Sequence, residues 1–198
     1  MGITKECLTH YVNMVKNNEL NWGDCDIIEL GAQTVHFDDN SLFREFCKQV
    51  GSDSKVVDEF HYNMTGKFMH EKFGNRYKCI DLDDFNGDSN ILKWDLNDVV
   101  CPIEHKNGYD LVTNFGTTEH LFNQTNAFRL VHDLVKTDGK ILHILPMADM
   151  NHGLFNYNPV LFISLAKYNN YEILFMDMTS NTEPSVFVPY EGYVVPGK

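Results

Sequence analysis

The chain has 198 residues, of which 43% are hydrophobic and 22% charged, with a formal net charge of −12; this is the make-up of one globular domain with enough apolar mass to bury a core. The negative charge repels phosphate backbones and anionic lipid surfaces, and three arginines with scattered lysines form no basic stripe, so neither nucleic acid nor a membrane is expected as a partner. Five cysteines (Cys7, Cys25, Cys47, Cys79, Cys101) without a C-x-x-C pair read as reduced thiols, and with no apolar run of about 18–20 residues and no signal-peptide core the expected setting is cytoplasmic.

Leu8, Tyr11, Val12 and Val15 fall at i, i+3, i+4 and i+7, which predicts an amphipathic helix over 4–17. Residues 26–30 read as a short strand running into Gly31. A polar stretch follows, with helical patches at 41–50 and 62–73 and a stop at Gly74-Asn75. Residues 77–82 and 91–94 read as the next strands. The strand 109–114 is cleaner, and its Leu111-Val112 centre suits a buried parallel position. The strongest helix covers 123–136, with Ala127, Leu130, Val131, Leu134 and Val135 on one face and Gly139 placed as a C-terminal cap. A strand at 140–145 comes next. Asn158-Pro159 then opens a helix, with Asn as N-cap and Pro at the first helical position, which ends near Asn169-Asn170. Residues 171–179 and 185–189 read as two last strands.

This alternation predicts an α/β, Rossmann-like three-layer domain, a mostly parallel sheet with helices on both faces. Such sheets bind ligands beyond the carboxyl ends of their strands, where strand order reverses. Functional side chains are therefore expected at 29–34, Asp81, Asp95, 114–120 and 146–157.

Each of those places carries suitable chemistry. Gly31 follows Ile28-Glu29-Leu30 directly and lets the backbone turn tightly. The further glycines of G-x-G-x-x-G are missing, which counts against a pyrophosphate-bearing dinucleotide such as NAD. Asp81, followed by Leu82, ends the second strand, where a carboxylate can accept from both ribose hydroxyls. Residues 84–88 imitate a calcium loop, but with Gly87 at the sixth place Leu82 and Lys93 fall at the first and twelfth, where ligands belong. Asp95-Leu96 follows the third strand, where the carboxylate can take an adenine amine. Asn114-Phe115-Gly116 leads through two threonines to Glu119-His120.

In this order, these segments resemble the motifs of class I S-adenosylmethionine-dependent methyltransferases. Glu29-Leu30-Gly31 is similar to the acidic-x-Gly opening of motif I, Asp81 to the ribose-binding acid, Asp95-Leu96 to the adenine-contacting pair, and Asn114 to His120 to the segment after the fourth strand. Val135 to Ile141 resembles the turn into the fifth strand, with Thr137-Asp138 where the family has Pro-Gly. The resemblance covers residues 26–145. It implies a sheet of seven strands in the order 3-2-1-4-5-7-6 within a single domain. It implies adenosylmethionine as cofactor and adenosylhomocysteine as product. The cofactor would be held by Glu29, Gly31, Ala32, Gln33, Asp81, Leu82, Asp95, Leu96, Asn114, Phe115, Gly116 and His120. The chain departs from the family in Ala32-Gln33-Thr34, which stands where more glycines are usual. About fifty residues separate Glu29 from Asp81 where a βαβ unit needs about twenty. An insertion at 35–59, acting as a lid or partner surface near the sheet's carboxyl edge, with a crossover helix at 62–73, is expected to account for the difference.

The segment Met147–Pro159 is dense in polar and aromatic groups, and the resemblance places a small-molecule methyl acceptor here, against Asn151, His152, Asn156 and Tyr157. Its His-Gly-x-Phe-Asn-x-x-Pro run is similar to bacterial methyltransferases of cell-surface saccharides and related metabolites. For a hydroxyl acceptor, His152 is the expected base and His120 the second choice, since an unperturbed imidazole titrates near 6.5. The nine histidines are dispersed, with no H-E-x-x-H and no paired cysteines, so no metal centre is expected. A hydrolase elbow and a Walker loop are both missing. The alternative is a non-catalytic Rossmann-like binding or assembly module with a degenerate cofactor loop. An NAD-dependent oxidoreductase or sugar-nucleotide enzyme is the third reading. Either a monomer or a homodimer is compatible with the sequence.

Overall fold

In the computed structural model, Ile27, Ile28, Glu29 and Leu30 are all buried, as a central strand covered on both faces must be. The structure describes residues 2–35, 40–52, 69, 71–83, 89–179 and 188–189. In chain order the elements are β1 (Gly2–Ile3), α1 (Lys5–Lys16), β2 (Ile27–Leu30), β3 (Thr34–Val35), α2 (Asn40–Gln49), β4 (Tyr77–Asp81), β5 (Ile91–Lys93), β6 (Tyr109–Phe115), α3 (Gln124–Leu134), β7 (Val135–Ile144), α4 (Pro159–Asn169), β8 (Asp177–Met178) and β9 (Val188–Pro189).

Five strands form one parallel sheet in the order β5-β4-β2-β6-β7. The chain builds outward from β2 through β4 to β5, then returns to β2's other side for β6 and β7. Strand order therefore reverses between β2 and β6. This is an α/β architecture, a five-stranded parallel sheet flanked by helices, consistent with a Rossmann-like fold.

Side chains alternate across β2 and β6, and each face has its own core. Ile27, Leu111 and Phe115 pack with Tyr11 and Val12 of α1 and Phe46 and Cys47 of α2. Ile28, Leu30, Ile80 and Val112 pack with Leu130, Val131 and Leu134 of α3. Each fully buried side chain of this kind contributes about 1.5–3 kcal/mol. The five cysteines are all buried and free. Among the described residues no helix is long and apolar enough to cross a membrane.

Three sequence expectations need correction. First, the seven-strand order holds only for its first five places: β8 and β9 make a separate antiparallel ribbon, and β1 pairs with β3. The segment after α4 does not run along β7. Its Tyr171 hydroxyl meets His132 Nδ1 of α3 at 2.7 Å, and Phe175 stacks on His10 of α1 at 4.7 Å. Those helices lie on opposite faces of the sheet, so the segment crosses the β7 edge instead of pairing with it. Second, the expected insertion supplies α2, whose Phe43, Phe46 and Cys47 belong to the α1-side core, which makes residues 40–49 part of the helical layer. Residues 36–39 and 53–59 of the insertion, most of the 62–73 helix and the 84–88 segment lie outside the described residues; Val50, Met69 and Phe73, which are described, are buried in that same core.

Third, α3 stops at Leu134, short of Lys136, and Gly139 is not its cap. Val135 is already extended, at φ −73 and ψ 137, and pairs with Tyr109. A register shift between Tyr109 and Leu111 then takes up the extra residues as a bulge. Asp138 takes the positive φ of 64 there. A Cβ on Gly139 would lie 2.7 Å from Val135 Cγ2 and 2.9 Å from the Lys136 carbonyl, so the close approach is what requires glycine.

Beside this bulge, Lys136 Nζ lies 2.8 Å from both Asp26 Oδ2 and Asp110 Oδ2. Burial works against the charged Asp110 carboxyl, but Lys136 and the Asp26 N–H outweigh it and hold the group below its usual range. All three side chains reach solvent, so screening limits the energy. Lys136→Ala is expected to lower stability by at most about 1 kcal/mol, read as a shift in the urea midpoint that shrinks as salt is added.

Candidate functional site

The carboxyl ends of β2, β4, β6 and β7 meet at the reversal point. At the tip of β2, Gly31 has φ 81 and donates its N–H to Ile80 O at 2.8 Å. A Cβ there would lie 2.7 Å from Thr117 Oγ1, so both conformation and space require glycine. The Thr117 hydroxyl and Gln33 Nε2 both donate to Leu30 O, at 2.5 and 2.9 Å. Gln33 Oε1 is buried and has no hydrogen-bond partner. At the neighbouring tip, Asp81 Oδ2 accepts from Ala32 N at 2.9 Å, and Oδ1 accepts from Leu82 N at 2.7 Å and Asp83 N at 3.4 Å. One carboxylate thus ties the ends of β2 and β4 together.

Of the residues expected at the cofactor, Glu29, Leu96, Asn114 and Phe115 face inward, and Asp95 is exposed. Glu29 sits on the α1 side, with Oε1 accepting from Tyr11 at 3.0 Å and Oε2 from Tyr77 at 2.6 Å. Burial pushes its carboxyl up to about 7, against the pull of the two tyrosine hydroxyls. Leu96 is part of the α3-side core. Asp95 folds back on its own turn, accepting from Asn97 N at 2.9 Å and Nδ2 at 3.0 Å. Phe115 packs against Tyr11. Asn114 is fully buried and braces the loop that follows it: Nδ2 donates to Thr118 Oγ1 at 2.8 Å and to His143 Nδ1 at 3.1 Å, while Oδ1 accepts from Thr118 N at 3.2 Å. Gly116, at φ 71, donates to Ile144 O and keeps that loop against β7.

The loop ends in a short turn, Thr118–His120, that carries Glu119 and His120. Glu119 is 0% exposed. Its Oε1 lies 3.2 Å from His152 Nε2 and 4.0 Å from His120 Nε2. The two imidazoles meet edge to face, with centroids 4.9 Å apart. Burial raises the Glu119 carboxyl above its usual range, with both histidines opposing the rise.

The loop after β7 is built onto this turn. Leu154 N and Phe155 N both donate to Glu119 O, at 2.6 and 3.2 Å. Gly153, at φ 74, comes so close that a Cβ would lie 2.7 Å from Glu119 Cγ. Within the loop, Asn156 accepts from Asp149 N at 2.9 Å and donates to Asp149 O at 3.1 Å, and the Asn151 N–H is held by Asp149 Oδ1. The Tyr157 hydroxyl donates to Gln124 Oε1 at 2.7 Å and lies 3.0 Å from Thr118 Oγ1. Asn156 and Tyr157 therefore spend their polar groups shaping the loop. Of the four expected acceptor contacts, only His152 is brought to another candidate side chain.

A broad trough runs along the β7 side, bordered by Gly116, Glu119, His143, His152, Phe155 and Tyr157 among others. Its volume of about 2650 Å³ far exceeds the roughly 300–1,000 Å³ of a ligand-shaped pocket. Gly31, Gln33, Asp81 and Asp95 do not border it. The β2 and β4 tips and the trough are thus separate regions that adjoin at Gly116–Glu119.

Two site residues were not singled out from the sequence. Glu119 is visible there only as His120's neighbour. His143, near the end of β7, is packed by Phe128 and Phe162, and burial lowers it to about 4, which keeps the ring neutral. The Asn114 amide donates to its Nδ1, so its own proton is on Nε2.

The two tips present hydrogen-bond acceptors to a ligand. A carboxylate and a buried, unpartnered carbonyl oxygen accept from hydroxyl and ammonium groups, and neither offers a donor to phosphate. No protein-family model and no curated protein matches the chain.

Proposed function

We propose that the protein is an S-adenosylmethionine-dependent methyltransferase acting on a small-molecule acceptor. The observation that carries this reading is that two acceptors lie just beyond adjacent strands at the reversal point, the Asp81 carboxylate ending β4 and the buried, unpartnered Gln33 Oε1 in the loop after β2. Asp81 accepts the ribose hydroxyls and Gln33 Oε1 accepts the cofactor's ammonium. When bound, adenosylmethionine supplies a methyl group already activated by its sulfonium charge.

The chain's own task is then to align the acceptor and manage its proton. The trough admits the acceptor from the β7 side. Glu119 fixes the His152 ring through Nε2, which leaves Nδ1 as the atom that takes a hydroxyl proton. His120, its ring edge against His152, limits the ring's freedom. The acceptor class is a saccharide or a related polyhydroxyl metabolite, which would meet the polar side chains of Glu119, His143 and His152 along the trough. A non-catalytic binding module is the second reading, favoured by the engagement of Asp81 Oδ2 with Ala32 N.

The test is a screen of hydroxyl acceptors for transfer of a labelled methyl group, repeated with His152→Ala. The substitution is expected to lower kcat by about 10²–10⁴-fold. Turnover that does not change would remove His152 from the reaction.

A further inference from the structure

We propose that Glu119, His120 and His152 form a binding site for one divalent transition-metal ion. The chain spacing conceals it, because His120 and His152 belong to loops after different strands. Folding brings one ligand atom from each of the three residues to within 4.8 Å of one another, and among the described residues this is where such a group occurs. An ion about 2.0–2.2 Å from three ligands holds them about 3–4 Å apart. The observed 3.2 and 4.0 Å separations from Glu119 Oε1 already fall in that range.

A second observation, independent of the histidines, points to a cation. Glu119 Oε2 is buried and has no hydrogen-bond partner. A buried carboxylate oxygen without a donor is costly; both imidazoles face Oε1, so a cation satisfies Oε2 as well when the carboxylate holds it through both oxygens. The site is also built rather than incidental. The N–H groups of Leu154 and Phe155 fix the Glu119 backbone, and Gly153 allows the His152 loop to close onto it.

The donor set decides the class of ion. Two imidazoles and one carboxylate suit zinc, iron(II), cobalt or manganese, whereas magnesium and calcium prefer all-oxygen sites. Three protein ligands leave at least one position open, as in catalytic centres. The imidazoles are 42% and 43% exposed, so the open position faces solvent, and His152 borders the trough. Resting on the methyltransferase reading, that position takes an oxygen of the acceptor, and the acceptor class narrows to molecules able to present a hydroxyl or carboxyl oxygen to a metal. With the ion in place His152 is a ligand, and the acceptor hydroxyl is acidified by the cation instead of by an imidazole base.

The experiment is a titration of the chelator-stripped full chain with Co²⁺ in the absence of any sulfur nucleotide. One equivalent is expected to bind, with visible bands typical of nitrogen and oxygen ligation and no thiolate charge-transfer band. His120→Ala and His152→Ala, both at part-exposed rings, are expected to stay folded and to bind at least about tenfold more weakly. Glu119→Gln is expected to weaken binding further, with its melting curve recorded alongside. No binding, binding unchanged in both histidine variants, or a thiolate band would overturn the site. Because cofactor is left out, a negative result here leaves the methyltransferase reading standing, and a failure to bind cofactor leaves this site standing.

Discussion

Glu29→Gln is expected to remove a pH-dependent loss of stability worth about 3 kcal/mol from the native chain. Burial raises the Glu29 carboxyl from 4.5 to about 7, with Tyr77 and Tyr11 opposing the rise. Between those values the folded protein holds a proton that the unfolded chain has released. The free energy of unfolding therefore falls as pH rises through the window: the contribution is complete below 4.5 and gone above about 7. At 1.36 kcal/mol per pH unit the loss is about 3 kcal/mol. Gln has no proton to lose, and its amide can still meet both tyrosine hydroxyls. His143 acts in the opposite direction, since burial lowers it from 6.5 to about 4, so its contribution is present above 6.5 and is lost as pH falls through 4. The two windows overlap, and only the difference between native and Glu29→Gln isolates Glu29. Urea unfolding of both proteins across the window measures it. Parallel stability profiles would show that Glu29 is not held protonated.

Gly153→Ala is expected to separate His152 from Glu119 while leaving the sheet intact. The new Cβ would sit 2.7 Å from Glu119 Cγ and 3.0 Å from both Glu119 Cβ and its carbonyl oxygen, at a backbone φ of 74. The left-handed conformation costs about 1–2 kcal/mol for a residue with a Cβ. The overlap adds to this by pushing the loop away and stretching the Leu154 and Phe155 bonds to Glu119 O. Stability is expected to fall by about 2–3 kcal/mol, and Co²⁺ affinity and acceptor turnover each by more than about tenfold. Gly74→Ala is the control. Its φ is 57, and a Cβ there would meet nothing within 4 Å, so it carries the conformational cost alone and leaves metal affinity unchanged. Equal effects of the two substitutions on metal affinity would break the link between the Gly153 contact and the site.

The elements governed by local pattern were legible in the sequence. The α1 stripe, the apolar centres of β2 and β6, the Asn158-Pro159 start of α4 and the Asn170 stop at φ 57 all follow from neighbouring residues. Features decided at long range were not. Glu29 looks like a ligand-facing acid, yet it shares a sheet face with Ile27, and its partners Tyr11 and Tyr77 come from other elements. The end of α3 was misplaced because Val135 is claimed by Tyr109 across the sheet. Residues 171–176 carry a strand-like apolar run, but the His132 and His10 contacts take them over the β7 edge. His120 and His152 look dispersed until the N–H groups after Gly153 bind the Glu119 carbonyl.

The most direct test of the methyltransferase reading is calorimetric titration of the folded protein with adenosylmethionine and adenosylhomocysteine, with NAD as control. Saturable binding of a sulfur nucleotide is predicted, weakened at least about tenfold by Asp81→Ala, a loss of about 1.4 kcal/mol, with no heat from NAD. A folded protein that binds neither sulfur nucleotide, or that binds NAD in their place, would contradict it.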